Sequence, residues 1–294
     1  MDNNRRFPLV LSSFWLKIIA LLTMTIDHIG FLMPENTVSL VFRYIGRLAL
    51  PLFCFMIAEG AIHTKNFNRY ALRLGIMASA ISITIIVDDI FKITNGSLRA
   101  QGNIFIDLLL GAVAIFLLRQ KKWYIKLIAI VPICLSVASF IASSIEWCGC
   151  YGNVLWYPYF LRTQYGWFAV ILIVLFYVAH YATKLFLKYH GNISGVDPQV
   201  FEGSNLERNV LNIFSCLMIV IASLLFYVNG RLMPPENMSW MLDIQLFAMV
   251  SGAFILLYNG KRGYNKKWFQ YGSYLYYPIH LIILYSIYLI IVYL

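Results

Sequence analysis

The chain has 294 residues, of which 61% are hydrophobic and 12% charged, and it carries a formal net charge of +10. A soluble globular domain has about 25% charged residues, so the composition excludes a soluble fold and describes a polytopic membrane protein. In that class a basic balance reflects cytoplasmic loops rather than nucleic acid, and no nucleic-acid partner is expected.

Apolar runs predict about nine spans, at 14–33, 41–62, 71–92, 103–119, 124–145, 165–187, 209–229, 239–258 and 271–293. The fold class is therefore an all-α integral membrane protein, a bundle of about nine transmembrane helices in the lipid bilayer. The first run lacks a small-residue cleavage site and is expected to remain as a span. Basic residues collect before span one (Arg5, Arg6) and in alternate loops: Lys65 and Arg69, then Arg119, Lys121 and Lys122, then Lys184, Lys188 and Arg208, then Lys261, Arg262, Lys266 and Lys267. The bias places the N-terminus inside and the C-terminus outside. Residues 1–294 read as a single transmembrane domain. A six-span block (14–188) and a three-span block (209–293) are joined by a polar cytoplasmic loop at 189–208.

Met24-Thr25-Ile26-Asp27-His28-Ile29-Gly30 places an acid and an imidazole inside the first span. A charge in hydrocarbon costs about 2.5–3.5 kcal/mol on insertion scales, so such residues imply partners or a task. Arg47 lies at similar depth in span two, and an Asp27–Arg47 ion pair is expected across the short connection. Asn103, Asp107, Asp243 and Gln245 enter from the outer side and could complete an outward polar pocket. Pro51 deprives the Arg47 carbonyl of its helical donor, and Pro278 does the same to Tyr274; His280 follows Pro278 at about mid-depth. Broken backbone at that depth suits a polar chamber.

A second cluster gathers toward the cytoplasmic face. Glu59 and His63 stand four apart, as do Arg69 and Arg73, and Asn259-Gly260-Lys261 closes span eight. Paired guanidiniums suit phosphate recognition. Plainer readings stand beside these: a packing pair for Asp27-His28, an interfacial patch for Glu59 and His63, and topology anchors for Arg69, Arg73 and Lys261. Asp88-Asp89 reads as a solvated loop edge. Cys148 and Cys150 flank one glycine and are either a small disulfide or free thiols. No metal-ligand spacing is present, and no metal is expected.

The order of these residues resembles the TraX family of membrane proteins. It is carried by Leu16-Lys17-Ile18-Ile19-Ala20, the Met24–Gly30 run, Gly46-Arg47-Leu48-Ala49-Leu50-Pro51-Leu52-Phe53, Glu59-Gly60, His63-Thr64-Lys65-Asn66, Tyr70-Ala71-Leu72-Arg73-Leu74, Leu257-Tyr258-Asn259-Gly260-Lys261 and Tyr276-Tyr277-Pro278-Ile279-His280. The resemblance implies a bacterial cytoplasmic-membrane acyltransferase that takes acetyl from acetyl-CoA and passes it to an amine or hydroxyl of an extracytoplasmic acceptor, such as a pilin-like peptide. On that reading His28 is the general base or acetyl carrier, Asp27 orients it, Arg47 holds Asp27 or steadies an oxyanion, and His280 is a second acid or base. Arg69, Arg73 and Lys261 meet the donor's phosphates, with His63, Glu59 and Asn259 beside them. The competing classes are a proton-coupled transporter and a non-catalytic membrane component of a conjugation or secretion apparatus.

Overall fold

The computed structural model describes residues 9–93, 99, 101–147, 154–232 and 239–293. Arg5 and Arg6, and the Cys148–Cys150 pair, lie outside them. Among the described residues the regular structure is helical, with one isolated parallel bridge between Leu11 and Tyr258.

In chain order the α-helices are α1 (Ser13–Leu32), α2 (Thr37–Gly46), α3 (Ala49–His63), α4 (Phe67–Phe91), α5 (Ile104–Leu118), α6 (Trp123–Leu127), α7 (Ile130–Trp147), α8 (Trp167–Ser194), α9 (Asn205–Leu232), α10 (Ser239–Leu246), α11 (Ser251–Leu256) and α12 (Lys267–Tyr293). Among the described residues six stretches are long and apolar enough to cross a bilayer: Ser13–Leu32, Thr37–His63, Phe67–Phe91, Trp123–Glu146, Trp167–Ser194 and Asn205–Arg231; Ile104–Leu118 and Asp243–Leu256 are shorter apolar helices. The protein is an all-α, multi-pass membrane protein. Its outward faces are apolar, as that solvent requires: Leu72, Ile76, Ile83 and Ile90 are exposed along one side of α4, while Leu74, Ala78, Ser82 and Ile85 are buried on another.

The predicted second span is two helices. The chain breaks at Arg47 and Leu48, whose N–H groups turn back three residues to Tyr44 and Ile45. Pro51 falls in the first turn of α3, where its missing N–H leaves no helical bond unmade. The predicted span 239–258 is likewise interrupted, by a 3-10 turn at Phe247–Val250. The predicted loop 189–208 is mostly helical. α8 runs on to Ser194 and α9 starts at Asn205, because helix needs no apolar signal once it leaves the bilayer. Asp88 and Asp89 lie within α4 rather than on a loop, and Asp88 is buried.

The chain divides into two compact units, Met1–Phe53 with Val178–Leu294, and Cys54–Tyr177. In the first, α2 and α12 pack on α1, and α10, the 3-10 turn and α11 pack on α9. The loop after α11 closes over the start of α1. Leu11 N–H donates to Leu257 O (2.9 Å), Asn259 N–H to Leu11 O (2.8 Å), Ser13 N–H to Lys261 O (2.9 Å) and Phe14 N–H to Arg262 O (3.1 Å), so carbonyls of the loop satisfy open N–H groups of α1. Gly263, at φ +68°, makes the turn; a side chain there would meet Ser12 Oγ.

In the second unit α5 packs between α4 and α7. Asn103 caps α5 by accepting from Phe105 N–H (3.0 Å), and its amide donates to Ala78 O (2.7 Å) and Ser82 Oγ (3.1 Å). Asp107, fully buried, accepts from the backbone N–H groups of Gln164 (2.7 Å) and Tyr165 (3.3 Å). Both side chains thus tie the 162–165 loop and α4 onto α5. Asp107→Ala is expected to loosen that loop by removing the buried acceptor of two partly buried N–H groups, with a loss of about 2–4 kcal/mol. Hydrogen exchange at Gln164 and Tyr165 would then accelerate selectively, whereas unchanged protection would refute the assignment.

Candidate functional site

Asp27 is where the sequence expects an ion pair, and the structure makes two. Its Oδ1 accepts from Arg47 Nη2 (2.7 Å) and its Oδ2 from Arg43 Nη1 (2.8 Å). The local chain dictates this. Asn36 and Ser39 form a reciprocal capping box that starts α2 shortly after α1 has ended, so the two helices return side by side. Arg43 and Arg47, one turn apart, then share a face of the returning helix. Two glycines set how close the helices come. A Cβ on Gly46 would collide with the Cβ and carboxylate of Asp27, and one on Gly30 would lie 2.7 Å from Phe42 Cβ. Small residues at a helix contact in a bilayer permit this approach. Gly46→Ala is expected to push Asp27 off its arginines at a cost of about 1–3 kcal/mol. A lower Tm in detergent would show it, and a Tm equal to wild type would contradict it.

One residue on, His28 turns to a different neighbour. Its Nδ1 lies 3.0 Å from Nε2 of His280 on α12, which is itself buried. His280 Nδ1 lies 2.8 Å from Tyr276 O. A carbonyl only accepts, so His280 Nδ1 carries a hydrogen, and in the neutral ring its Nε2 is the acceptor. The hydrogen between the two rings then belongs to His28 Nδ1, which leaves His28 Nε2 with a lone pair. This tautomer assignment follows from the hydrogen-bond pattern. Tyr276 stacks on His280, with centroids 5.0 Å apart at 11°, and its hydroxyl meets Thr25 Oγ1 at 2.7 Å. Thr25 already donates to Leu21 O (2.9 Å), so the tyrosine is the donor. Tyr277 approaches both imidazoles edge-on. The arrangement is a pair of coupled imidazoles, clamped by aromatic rings and directed by a backbone carbonyl. It presents one unprotonated ring nitrogen, which is what a general base, a nucleophile or a proton relay needs.

The structure therefore brings Asp27 to Arg47 and His28 to His280. The Asp27 carboxylate accepts from the two arginines, and the His28 ring meets His280. Arg43 was not singled out by the sequence, although its place one turn before Arg47 carried the signal.

Glu59, His63, Arg69 and Arg73 belong to the second unit and Asn259 and Lys261 to the first. The exposed His63 ring turns back to Glu59 O at 2.9 Å. Tyr70 OH donates to Ile57 O (3.3 Å), and Arg119 Nη1 donates to Ala61 O (2.8 Å), one of the open carbonyls at the end of α3. Arg119, which the sequence marks only as a loop cation, serves there as a cap. Arg69 is exposed on the first turn of α4, where its N–H is capped by Asn66 Oδ1 (3.0 Å), and Arg73 is half-buried one turn on. Asn259 Oδ1 accepts from Lys261 N–H (2.9 Å) at the loop that covers α1, and the Lys261 side chain is exposed. Asp243 is also exposed and lies 3.6 Å from Arg231.

At the other end of the second unit, Glu146 accepts from both Arg162 and Arg99, and Arg99 stacks 4.6 Å over Tyr159. Among the described residues no group of three or more His, Cys, Asp or Glu side chains is placed to hold a metal ion.

The chain is similar to a probable fimbrial assembly protein, FimC of serogroup H1, from Dichelobacter nodosus; the two are 26% identical over 292 residues, 94% of this chain and 95% of the relative. It is also similar to an uncharacterized protein of Rickettsia prowazekii (strain Madrid E), 29% identical over 176 residues, 58% of this chain and 57% of that one. No solved structure matches. The family described as TraX protein matches residues 12–288, and the chain belongs to the TraX family.

Proposed function

We propose that this protein is a multi-pass component of a bacterial cytoplasmic membrane that serves the assembly or maturation of pilus- or fimbria-type surface fibres. The observation that carries the reading is the nearly end-to-end similarity to a protein named for fimbrial assembly. In a strain that carries this protein, deletion is expected to reduce surface fibres and the wild-type chain to restore them.

We further propose nine spans with the N-terminus inside and the C-terminus outside. In support, the two shorter apolar helices and the 27-residue α12 add three to the six long stretches, and the basic residues alternate by loop. A C-terminal alkaline phosphatase fusion, active only outside the cytoplasm, is expected to be active. An inactive fusion on a stable protein would reverse the orientation.

A second reading, acetyl transfer at the same site, is favoured by the coupled imidazoles. Acetyl-CoA is then the donor substrate, and Lys261, in the unit that holds His28, is a candidate for its phosphates. His28 Nε2 takes the proton of an acceptor amine or hydroxyl as that atom bonds to the acetyl carbonyl carbon. The carbon–sulfur bond breaks, and the proton leaves with the coenzyme A thiol. In oriented vesicles, labelled acetyl is expected on an outward-facing acceptor with wild type but not with His28→Ala. Equal labelling by the two would remove His28 from the chemistry.

A further inference from the structure

One end of the first unit gathers cations around a held turn. Lys261 and Arg262 are exposed in the loop after α11, and exposed Lys266 and Lys267 lead into α12. Arg208, half-buried, lies in the first turn of α9. The loop and α12 bring no acid of their own, because no Asp or Glu follows Asp243 in the chain. Glu207, the acid next to Arg208, accepts from Gly203 N–H (2.6 Å) at the start of its own helix.

α1, the segment before it and α9 together hold the turn. Leu11 O takes the Asn259 N–H (2.8 Å), and the buried Tyr258 hydroxyl lies 2.8 Å from Ser13 Oγ. Asn212 Nδ2 on α9 donates to Leu256 O (3.3 Å) and Tyr258 O (2.8 Å). The Arg208 guanidinium is laid on this turn. Its Cζ stands 5.1 Å from the centroid of the Tyr258 ring, and a Cβ on Gly260 would come within 2.8 Å of its Nε and Nη2. Gly260, at φ +73°, both makes the turn and leaves room for the guanidinium. One planar cation is therefore clamped beside the residue that precedes Lys261 and Arg262. Charges that only set topology need to be present in the loop, not positioned on it.

The surrounding rings give the depth. Phe14 meets Tyr264 and Phe269, Trp268 Nε1 donates to Tyr264 OH (3.0 Å), and Tyr264 and Trp268 are 41% and 65% exposed. Lys17 Nζ stands 5.5 Å from the Phe269 centroid and Lys266 Nζ 5.9 Å from that of Tyr264. Exposed Tyr and Trp at the end of an apolar helix mark the headgroup level, and lysines beside them keep their charge at that surface. The anion at that level is lipid phosphate.

We propose that Arg208, laid on Gly260, and the neighbouring Lys261 and Arg262 form a binding site for a phosphate ester at the membrane surface. The guanidinium fork takes phosphate oxygens, and the two flexible cations neutralise the remaining charge. Two sources share this chemistry: the headgroup of an anionic phospholipid, which the ring of interfacial aromatics favours, and a soluble phosphate ester. Coenzyme A represents the soluble source, and that arm alone rests on the acetyl-transfer reading.

Full-length protein in neutral maltoside micelles is titrated separately with phosphatidylglycerol and with coenzyme A, and native mass spectrometry reads the bound fraction. Phosphatidylglycerol is expected to bind, and Arg208→Gln to weaken it at least fivefold. Lys261→Gln combined with Arg262→Gln, two exposed positions whose loss leaves the fold intact, is expected to do the same. Lys184→Gln, an exposed cation on α8 of the same unit, is the control for general charge and is expected to leave binding unchanged. Losses confined to phosphatidylglycerol establish a lipid site and take Lys261 out of the acetyl-transfer reading. Losses confined to coenzyme A establish the site as one for the soluble ester. Failure of both probes to bind, or losses no larger than that of Lys184→Gln with both, would overturn the proposal.

Discussion

Asp27→Ala is expected to abolish accumulation of folded protein, or to lower its Tm further than Gly46→Ala or Asp107→Ala does. The carboxylate lies between two guanidiniums whose side chains are only 20% and 13% exposed, in stretches long and apolar enough to cross a bilayer. Removing it takes away the carboxylate that both guanidiniums bind. Breaking a buried pair from one side costs about 3–5 kcal/mol, a large share of the about 5–15 kcal/mol that holds a typical protein folded. The two arginines act through one acid, so the effects do not add. Asp27→Asn combined with Arg43→Gln and Arg47→Gln is expected to recover part of the loss, because uncharged side chains need no counterion. Yield of monodisperse protein and Tm in detergent read both variants. A Tm for Asp27→Ala within a few degrees of wild type would show that the arginines do not depend on this carboxylate.

His28→Ala is expected to behave differently. It removes no charge balance, so the protein should fold, while function falls at least tenfold, and His280→Ala should do much the same. If the rings act as one unit, the double variant is no worse than the weaker single one. Independent rings would give multiplied losses. Tm separates this outcome from a packing defect, since a structural role would move stability and function together. Full function in His28→Ala on a folded protein would return the pair to packing, which is what a non-catalytic component of the apparatus predicts.

The Asp27–Arg47 pair was legible because a charge in a span demands a partner and a short connection limits the choice. The Arg43 arm was missed because a basic residue near a span end reads as an anchor. His28 and His280 were each visible as imidazoles in apolar sequence, but their meeting depends on α12 packing against α1, and no local pattern encodes a contact 252 residues apart. Asp107 read as a pocket group and is instead a receptor for two backbone N–H groups, since the needs of a loop's backbone leave no mark on residue type. Helix positions followed from hydropathy. Helix ends did not, because α8 continues past its apolar run and the breaks at Arg47 and Phe247–Val250 occur within largely apolar sequence.

The most direct measurement counts assembled surface fibres in a strain deleted for this protein and complemented with either the wild-type chain or His28→Ala at equal membrane level. The account predicts few fibres in the deletion, recovery with wild type and failure of His28→Ala to restore them. Recovery by His28→Ala would keep the protein in fibre assembly but take the coupled imidazoles out of its mechanism. Fibre numbers unchanged by the deletion would contradict the central claim.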